Sequence, residues 1–133
     1  MDSNQHEIRN ILLLDNDIEL ADTLKQLLEL RNYLVTTVSN GVEGLREVME
    51  FDFDVILCDL MMPQMPGDMF YLAVKKVKPE MAKRFIFITG HGDDPKIRIF
   101  LSQAEGIVLR KPILSEDLIQ AISFIISEHG GFQ

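Results

Sequence analysis

The segment DVILCDLMMPQMPG, residues 54 to 67, climbs through apolar residues, stops on the carboxylate of Asp59 and breaks into a loop punctuated by Pro63, Pro66 and Gly67. Asp15, Asn16 and Asp17 follow the apolar run LLL, Thr89 ends FIFIT, and Lys111 follows IVLR. These side chains suit one kind of chemistry. Crowded acidic oxygens repel one another unless a hard cation sits among them, and Mg²⁺ takes oxygen ligands. A lysine supplies a mobile point charge for a phosphoryl oxygen, and a threonine hydroxyl can donate a hydrogen bond to another. Together with a carboxylate nucleophile they fit formation of an aspartyl phosphate.

Such a group needs a scaffold that brings residues 15, 59, 89 and 111 to one place. Short apolar runs rich in β-formers, at 8 to 14, 33 to 38, 54 to 58, 84 to 89 and 106 to 109, alternate with helix-period segments at 18 to 31, 41 to 50, 67 to 78, 95 to 104 and 115 to 128. The last helix is expected to open with Ser115 as its N-cap, followed by Glu116 and Asp117 where the helix dipole favours anions. Strands that are apolar on both faces and alternate strictly with helices imply a parallel sheet covered on both sides. Right-handed crossovers then point every strand's C-terminal end to one edge, where ligands of open α/β sheets bind. Asp15, Asp59, Thr89 and Lys111 all belong to that edge.

Each residue alone has a plainer reading. Asp59 suits a turn, Thr89 is a β-branched residue finishing a strand, and Lys111 is a surface charge before a proline. Their coincidence at one rim is what carries the chemical reading. Cys58 reads as a small core side chain, and Met61, Met62, Met65 and Met69 read as packing beneath the loop. His6 and His129 offer no evident partners for a metal, and His91 reads as a loop residue rather than a catalytic base. No glycine-rich phosphate loop, H-E-x-x-H or C-x-x-C occurs.

The chain has 133 residues, enough for one domain with its own core, and 47% of them are hydrophobic. A net charge of −8 argues against a direct nucleic-acid partner. One cysteine, an absent signal-type leader and no apolar run approaching the roughly 18 residues of a membrane span predict a cytoplasmic protein without a membrane partner.

The pieces LLLDND (12 to 17), DVILCDLMMPQMPG (54 to 67), FIFITG (85 to 90) and LRKP (109 to 112), in this order and spacing, resemble the receiver domain of two-component response regulators over residues 9 to about 128. The resemblance implies a doubly wound, five-stranded parallel sheet with flavodoxin-like strand order 2-1-3-4-5 and five helices in a three-layer α/β sandwich. Residues 1–8 would be a flexible N-terminal segment, 9–128 the receiver domain and 129–133 a C-terminal tail. By the same resemblance Asp59 is the phospho-acceptor, and Asp15, Asn16, Asp59 and the backbone carbonyl of Met61 hold Mg²⁺. Thr89 and Lys111 contact the phosphoryl group, and the Lys111–Pro112 bond is one the family often holds cis. Met62 resembles the family's apolar loop anchor.

A histidine kinase or histidine phosphotransfer protein would be the phosphoryl donor. Output would pass through residues 90 to 115 and the last helix to an effector protein or fused domains. The chain itself is expected to be a monomer or weak dimer and not an enzyme beyond its own phosphorylation and dephosphorylation. The stretch from TGHGDDP to LRKP also resembles receivers fused to hybrid histidine kinases.

The sequence departs from the family pattern in three places. Asn16 stands where a second acid is usual, leaving a metal-free pocket charge of about −1 rather than about −2, and so predicts weak Mg²⁺ binding. Val108 replaces an aromatic residue that swings behind the threonine, so switching would run through loop and helix movement. Gly90 replaces the more usual alanine. Met61 and His91 resemble the variable positions that control hydrolysis, and a bulky thioether there predicts a phosphoryl lifetime of minutes or longer.

Two other readings compete. Asp15-Asn16-Asp17 also resembles the D-x-D pair of haloacid-dehalogenase-type phosphatases, although Glu19 replaces the threonine expected there. Asn16 and Val108 leave open a receiver-like module that binds partners without phosphorylation.

Overall fold

The computed structural model describes residues 8 to 90 and 94 to 129. Five strands, β1 (Arg9–Leu14), β2 (Tyr33–Val38), β3 (Val55–Asp59), β4 (Phe85–Thr89) and β5 (Ile107–Arg110), alternate with five helices. The helices are α1 (Ile18–Glu29), α2 (Gly41–Glu50), α3 (Gly67–Val77), α4 (Pro95–Gln103) and α5 (Ser115–His129), with a 3₁₀ turn at Met81–Arg84 ahead of β4. All strand pairings are parallel and the order is β2-β1-β3-β4-β5. The expected flavodoxin-like arrangement is therefore the observed one.

The pleat explains how one strand serves two cores. Successive side chains of a strand point to opposite faces. In β3, Ile56 and Cys58 join Leu12, Leu14, Val48, Phe70, Val74 and Phe85 on the side covered by α2, α3 and α4. Val55 and Leu57 join Ile11, Leu13, Leu24, Leu28, Leu118 and Ile122 beneath α1 and α5. Every residue of β3 and β4 is buried. The expectation of strands apolar on both faces fails at the sheet edges. There β2 and β5 mix half-buried and exposed residues, because an edge strand has a neighbour on one side only.

Local chemistry sets the helix ends. Asp17 and Asn40 cap α1 and α2 by accepting from the Leu20 and Glu43 N–H groups, and Asp94 caps α4 ahead of Pro95. Helix α1 stops at Glu29, two residues before the expected end, and the chain turns through Asn32 at φ 70°, a left-handed conformation that asparagine tolerates. The expected cap at Ser115 is displaced by one residue. Ser115 is the first helical residue, and the Leu118 N–H donates to the Leu114 carbonyl, which puts Leu114 in the cap position.

Gly67 opens α3 where the chain returns against the strand carrying Asp59. A Cβ at this position would lie 2.7 Å from the Asp59 carbonyl oxygen and 2.8 Å from the Leu60 Cα. The Gly67 N–H donates to the Leu60 carbonyl at 3.2 Å, closing the loop of residues 60 to 66 on itself. Only a residue without a side chain permits that closure.

Candidate functional site

The parallel order delivers the C-terminal ends of β1, β3, β4 and β5 to one rim. Asp15 directly follows β1, Asp59 ends β3, Thr89 ends β4, and Lys111 directly follows β5. Among the described residues, Asp15, Asp59 and Thr89 are the buried polar or charged ones, at 1%, 3% and 1% exposure. Burying polar groups without compensation is costly, and here most are met by the fold.

The Asp59 carboxylate is held from two directions. Its Oδ1 accepts from the Met61 N–H at 3.0 Å, and its Oδ2 receives the Lys111 ammonium at 3.4 Å. The lysine is itself fixed by its backbone: its N–H donates to the Thr89 carbonyl at 2.9 Å, and the following bond to Pro112 is cis, as the resemblance implied. Lys111 thereby ties β5 to β4 while its side chain reaches across to β3.

Asp15 is satisfied on one side only. Oδ1 accepts from the Asp17 N–H at 2.9 Å, whereas Oδ2 is buried with no hydrogen-bond partner. Burial raises its pKa to about 6, the Asp17 N–H opposes the rise, and the charge of neighbouring Asp59 adds to it. A buried oxygen left without a donor beside a second carboxylate fits a hard divalent cation, which takes oxygen ligands. Asn16 and Met61 lie exposed at the same rim, next to Asp15 and two residues beyond Asp59 respectively. Among the described residues no three His, Cys, Asp or Glu side chains gather into a metal-holding group.

Other expectations divide. Asp17 caps α1 with its side chain turned to the Leu20 N–H, away from the rim. Cys58 is fully buried, its thiol against the carbonyls of Asp59 and Gly67, and burial pushes its pKa well up. Met62 is buried in the core and Met65 packs against it, but Met61 and Met69 are 47% and 55% exposed, so packing beneath the loop holds for only two of the four. His6 and His91 lie outside the described residues. The backbone donors of Asp17 and Met61 had no signal in residue type, because any non-proline residue offers an N–H.

A doubly wound sheet whose C-terminal rim pairs a strand-end carboxylate with a lysine directly after the last strand has the arrangement of a receiver-type domain. The chain belongs to the response regulator receiver domain family, whose model matches residues 11–123. Transcriptional regulatory protein GlrR of Escherichia coli K12 is 33% identical over 117 residues, covering 88% of this chain and 26% of that protein. A CpxR homolog of Haemophilus influenzae is 34% identical over 116 residues, covering 87% of this chain and 49% of the relative. The chain thus spans a quarter to a half of these relatives. Among solved structures, a CheY-like receiver domain protein from Methanospirillum hungatei superposes with a TM-score of 0.85 at 27% identity, covering 92% of this chain and 97% of that one. A receiver domain protein from Clostridium thermocellum superposes at 0.80 with 34% identity, covering 90% and 94%.

Proposed function

We propose that this receiver domain accepts a phosphoryl group on Asp59 from a phosphohistidine of a histidine kinase or histidine phosphotransfer protein. The observation that carries the reading is the buried Asp59 carboxylate paired with Lys111 at 3.4 Å, beside an Asp15 oxygen that no protein donor satisfies. A carboxylate oxygen of Asp59 forms the new P–O bond as the P–N bond to the donor imidazole breaks, and the imidazole leaves with a proton taken from solvent. Lys111 then follows the negative charge onto the phosphoryl oxygens, and the Thr89 hydroxyl donates to another.

Mg²⁺ held by Asp15, Asp59, the Asn16 side chain and the Met61 carbonyl would supply charge neutralisation for the transferring group. With an amide in place of an acid, this set binds the ion more weakly than one with three carboxylates. The phosphoryl group adds roughly −1.5 to −2 of charge at the rim. The response is a shift between two packings that alters the surface of α4, β5 and α5, where Ile99, Val108, Leu114 and Phe124 stand exposed. An effector protein or fused domains would read that surface, with 9–128 as the functional unit.

The family match does not favour the phosphatase reading, and Asp17, its required acid–base, is occupied in capping α1. The test is intact-mass analysis after treatment with a small acyl phosphate and Mg²⁺. Wild type should gain one phosphoryl group and Asp59→Asn none, and phosphotransfer from candidate histidine kinases should show the same dependence. Label on any other residue, or no label on folded protein, would refute the assignment.

A further inference from the structure

The loop after β3 turns its residues alternately inward and outward. Leu60 and Met62 are 4% and 7% exposed, and both belong to the apolar layer that contains Phe70 and Phe85. The Leu60 N–H donates to the Ile88 carbonyl at 3.1 Å, and the Leu60 carbonyl receives the Gly67 N–H at 3.2 Å. Met61 lies between these two anchors and faces the other way, 47% exposed. Its backbone is fixed by the site itself, because the Met61 N–H donates to Asp59 Oδ1 at 3.0 Å. The rim therefore carries a flexible thioether in solvent, on a backbone bonded to Asp59.

Oxidation of methionine follows exposure, and exposure sorts the methionines of this chain sharply. Met62 and Met81, at 7% and 3%, are closed in the core, whereas Met49, Met61 and Met69 stand 58%, 47% and 55% exposed. Met49 lies in the last turn of α2 and Met69 in the first turn of α3. Of the three exposed thioethers, Met61 is the one whose backbone is hydrogen-bonded to Asp59. A thioether is a weak hydrogen-bond acceptor, while the sulfoxide of the same residue is polar and carries an oxygen that accepts well.

We propose that Met61 is a redox modification site, oxidised by hydrogen peroxide to the sulfoxide, and that the sulfoxide shortens the life of a phosphoryl group on Asp59. The sulfur lone pair attacks one peroxide oxygen, and the S–O bond forms as the O–O bond breaks. The departing hydroxide takes the proton from the transferred oxygen and leaves as water, and sulfur supplies the two electrons that reduce the peroxide. The effect on lifetime rests on Asp59 being the acceptor, as proposed above, whereas the oxidation does not. The new oxygen accepts from a water and holds it beside the phosphorus. That water forms a P–O bond as the bond to Asp59 breaks, its proton passes to solvent, and the carboxylate and free phosphate are regenerated.

Limited treatment of the folded protein with hydrogen peroxide, followed by peptide mapping by mass, reads the first part. Met61 should gain one oxygen at least about tenfold faster than Met62 and Met81. The second part is read in Met49→Leu/Met69→Leu protein, which lacks the other two exposed thioethers, oxidised or not and then phosphorylated with acetyl phosphate and Mg²⁺. Oxidation should speed loss of the phosphoryl group about fivefold, the worth of one hydrogen bond, and methionine sulfoxide reductases should restore the original rate. With Met61→Leu added, decay should be the same before and after peroxide. Met61→Gln, which places an amide oxygen near the position of the sulfoxide oxygen, should decay at the oxidised rate without peroxide. Oxidation of Met61 no faster than that of Met62 would overturn the site. Equal acceleration in Met61→Leu protein, or decay that is unchanged or slower after oxidation, would overturn the effect on lifetime. Absence of any phosphoryl gain on folded, unoxidised protein would overturn the acceptor reading and the lifetime effect with it, and peptide mapping would still decide the oxidation.

Discussion

Asp15 and Asp59 lie buried side by side, and Lys111 pairs with Asp59 rather than with both. Asp15 consequently carries the strain of the site. Its pKa, raised from 3.8 to about 6, means that folded protein keeps a proton on this carboxyl over a range where the unfolded chain has released it. The stabilisation this proton provides is complete below about pH 4 and is lost as pH rises through 6, leaving a cost of about 2–3 kcal/mol at neutral pH without metal. Asp15→Asn should therefore raise the stability of the metal-free protein at pH 7 by up to that amount. The gain should shrink on acidification toward pH 4, and the Mg²⁺ response should disappear. Denaturant unfolding at several pH values, with and without Mg²⁺, measures all three. Asn16→Asp should act oppositely, tightening Mg²⁺ about tenfold by adding a hard anionic ligand, as a calorimetric titration would report. Both side chains were legible as candidates from residue type and position. Which Asp15 oxygen lacks a partner was not, because that depends on where the Asp17 N–H and the Asp59 carboxylate come to rest.

The loop from Leu60 to Pro66 and the first turn of α3 form the element that presents Asp59. Its geometry depends on the close return of Gly67, where a methyl group would press on the Asp59 carbonyl, the Leu60 Cα and the Cys58 sulfur within 3.0 Å. These neighbours are backbone or fully buried, so they cannot rotate aside. Gly67→Ala should cost about 1–3 kcal/mol by overpacking. It should also slow phosphorylation by an acyl phosphate at saturating Mg²⁺, because the Met61 N–H that holds Asp59 Oδ1 lies in the displaced segment. Chemical denaturation and the rate of mass gain separate the two effects. The position of the loop was readable from Pro63, Pro66 and Gly67. The exposure of Met61 and Met69 was not, since apolar character alone does not say which side of a loop faces the core.

Across the whole molecule, stability comes from two apolar layers that share one sheet. Phe85 belongs to the layer under α2, α3 and α4, stacking with Phe87 at 5.3 Å and meeting Tyr71 and Phe70 at 5.0 and 5.6 Å. Phe85→Ala should cost about 3–5 kcal/mol, from lost burial and the cavity left behind, and denaturant titration would measure it. Much of this architecture was decided locally. Apolar runs of strand length alternating with helical periodicity fix a parallel sheet, and crossover handedness then sends residues 15, 59, 89 and 111 to the same rim. The amino-acid sequence alone therefore determined which chemical groups meet and at which edge. What only the tertiary structure decided lies in distances across long loops: the reach of Lys111 to Asp59 over 52 residues, and that of Glu105 to the Tyr71 hydroxyl over 34. No local pattern encodes such distances, because each is set by how two separately formed layers settle against the sheet between them.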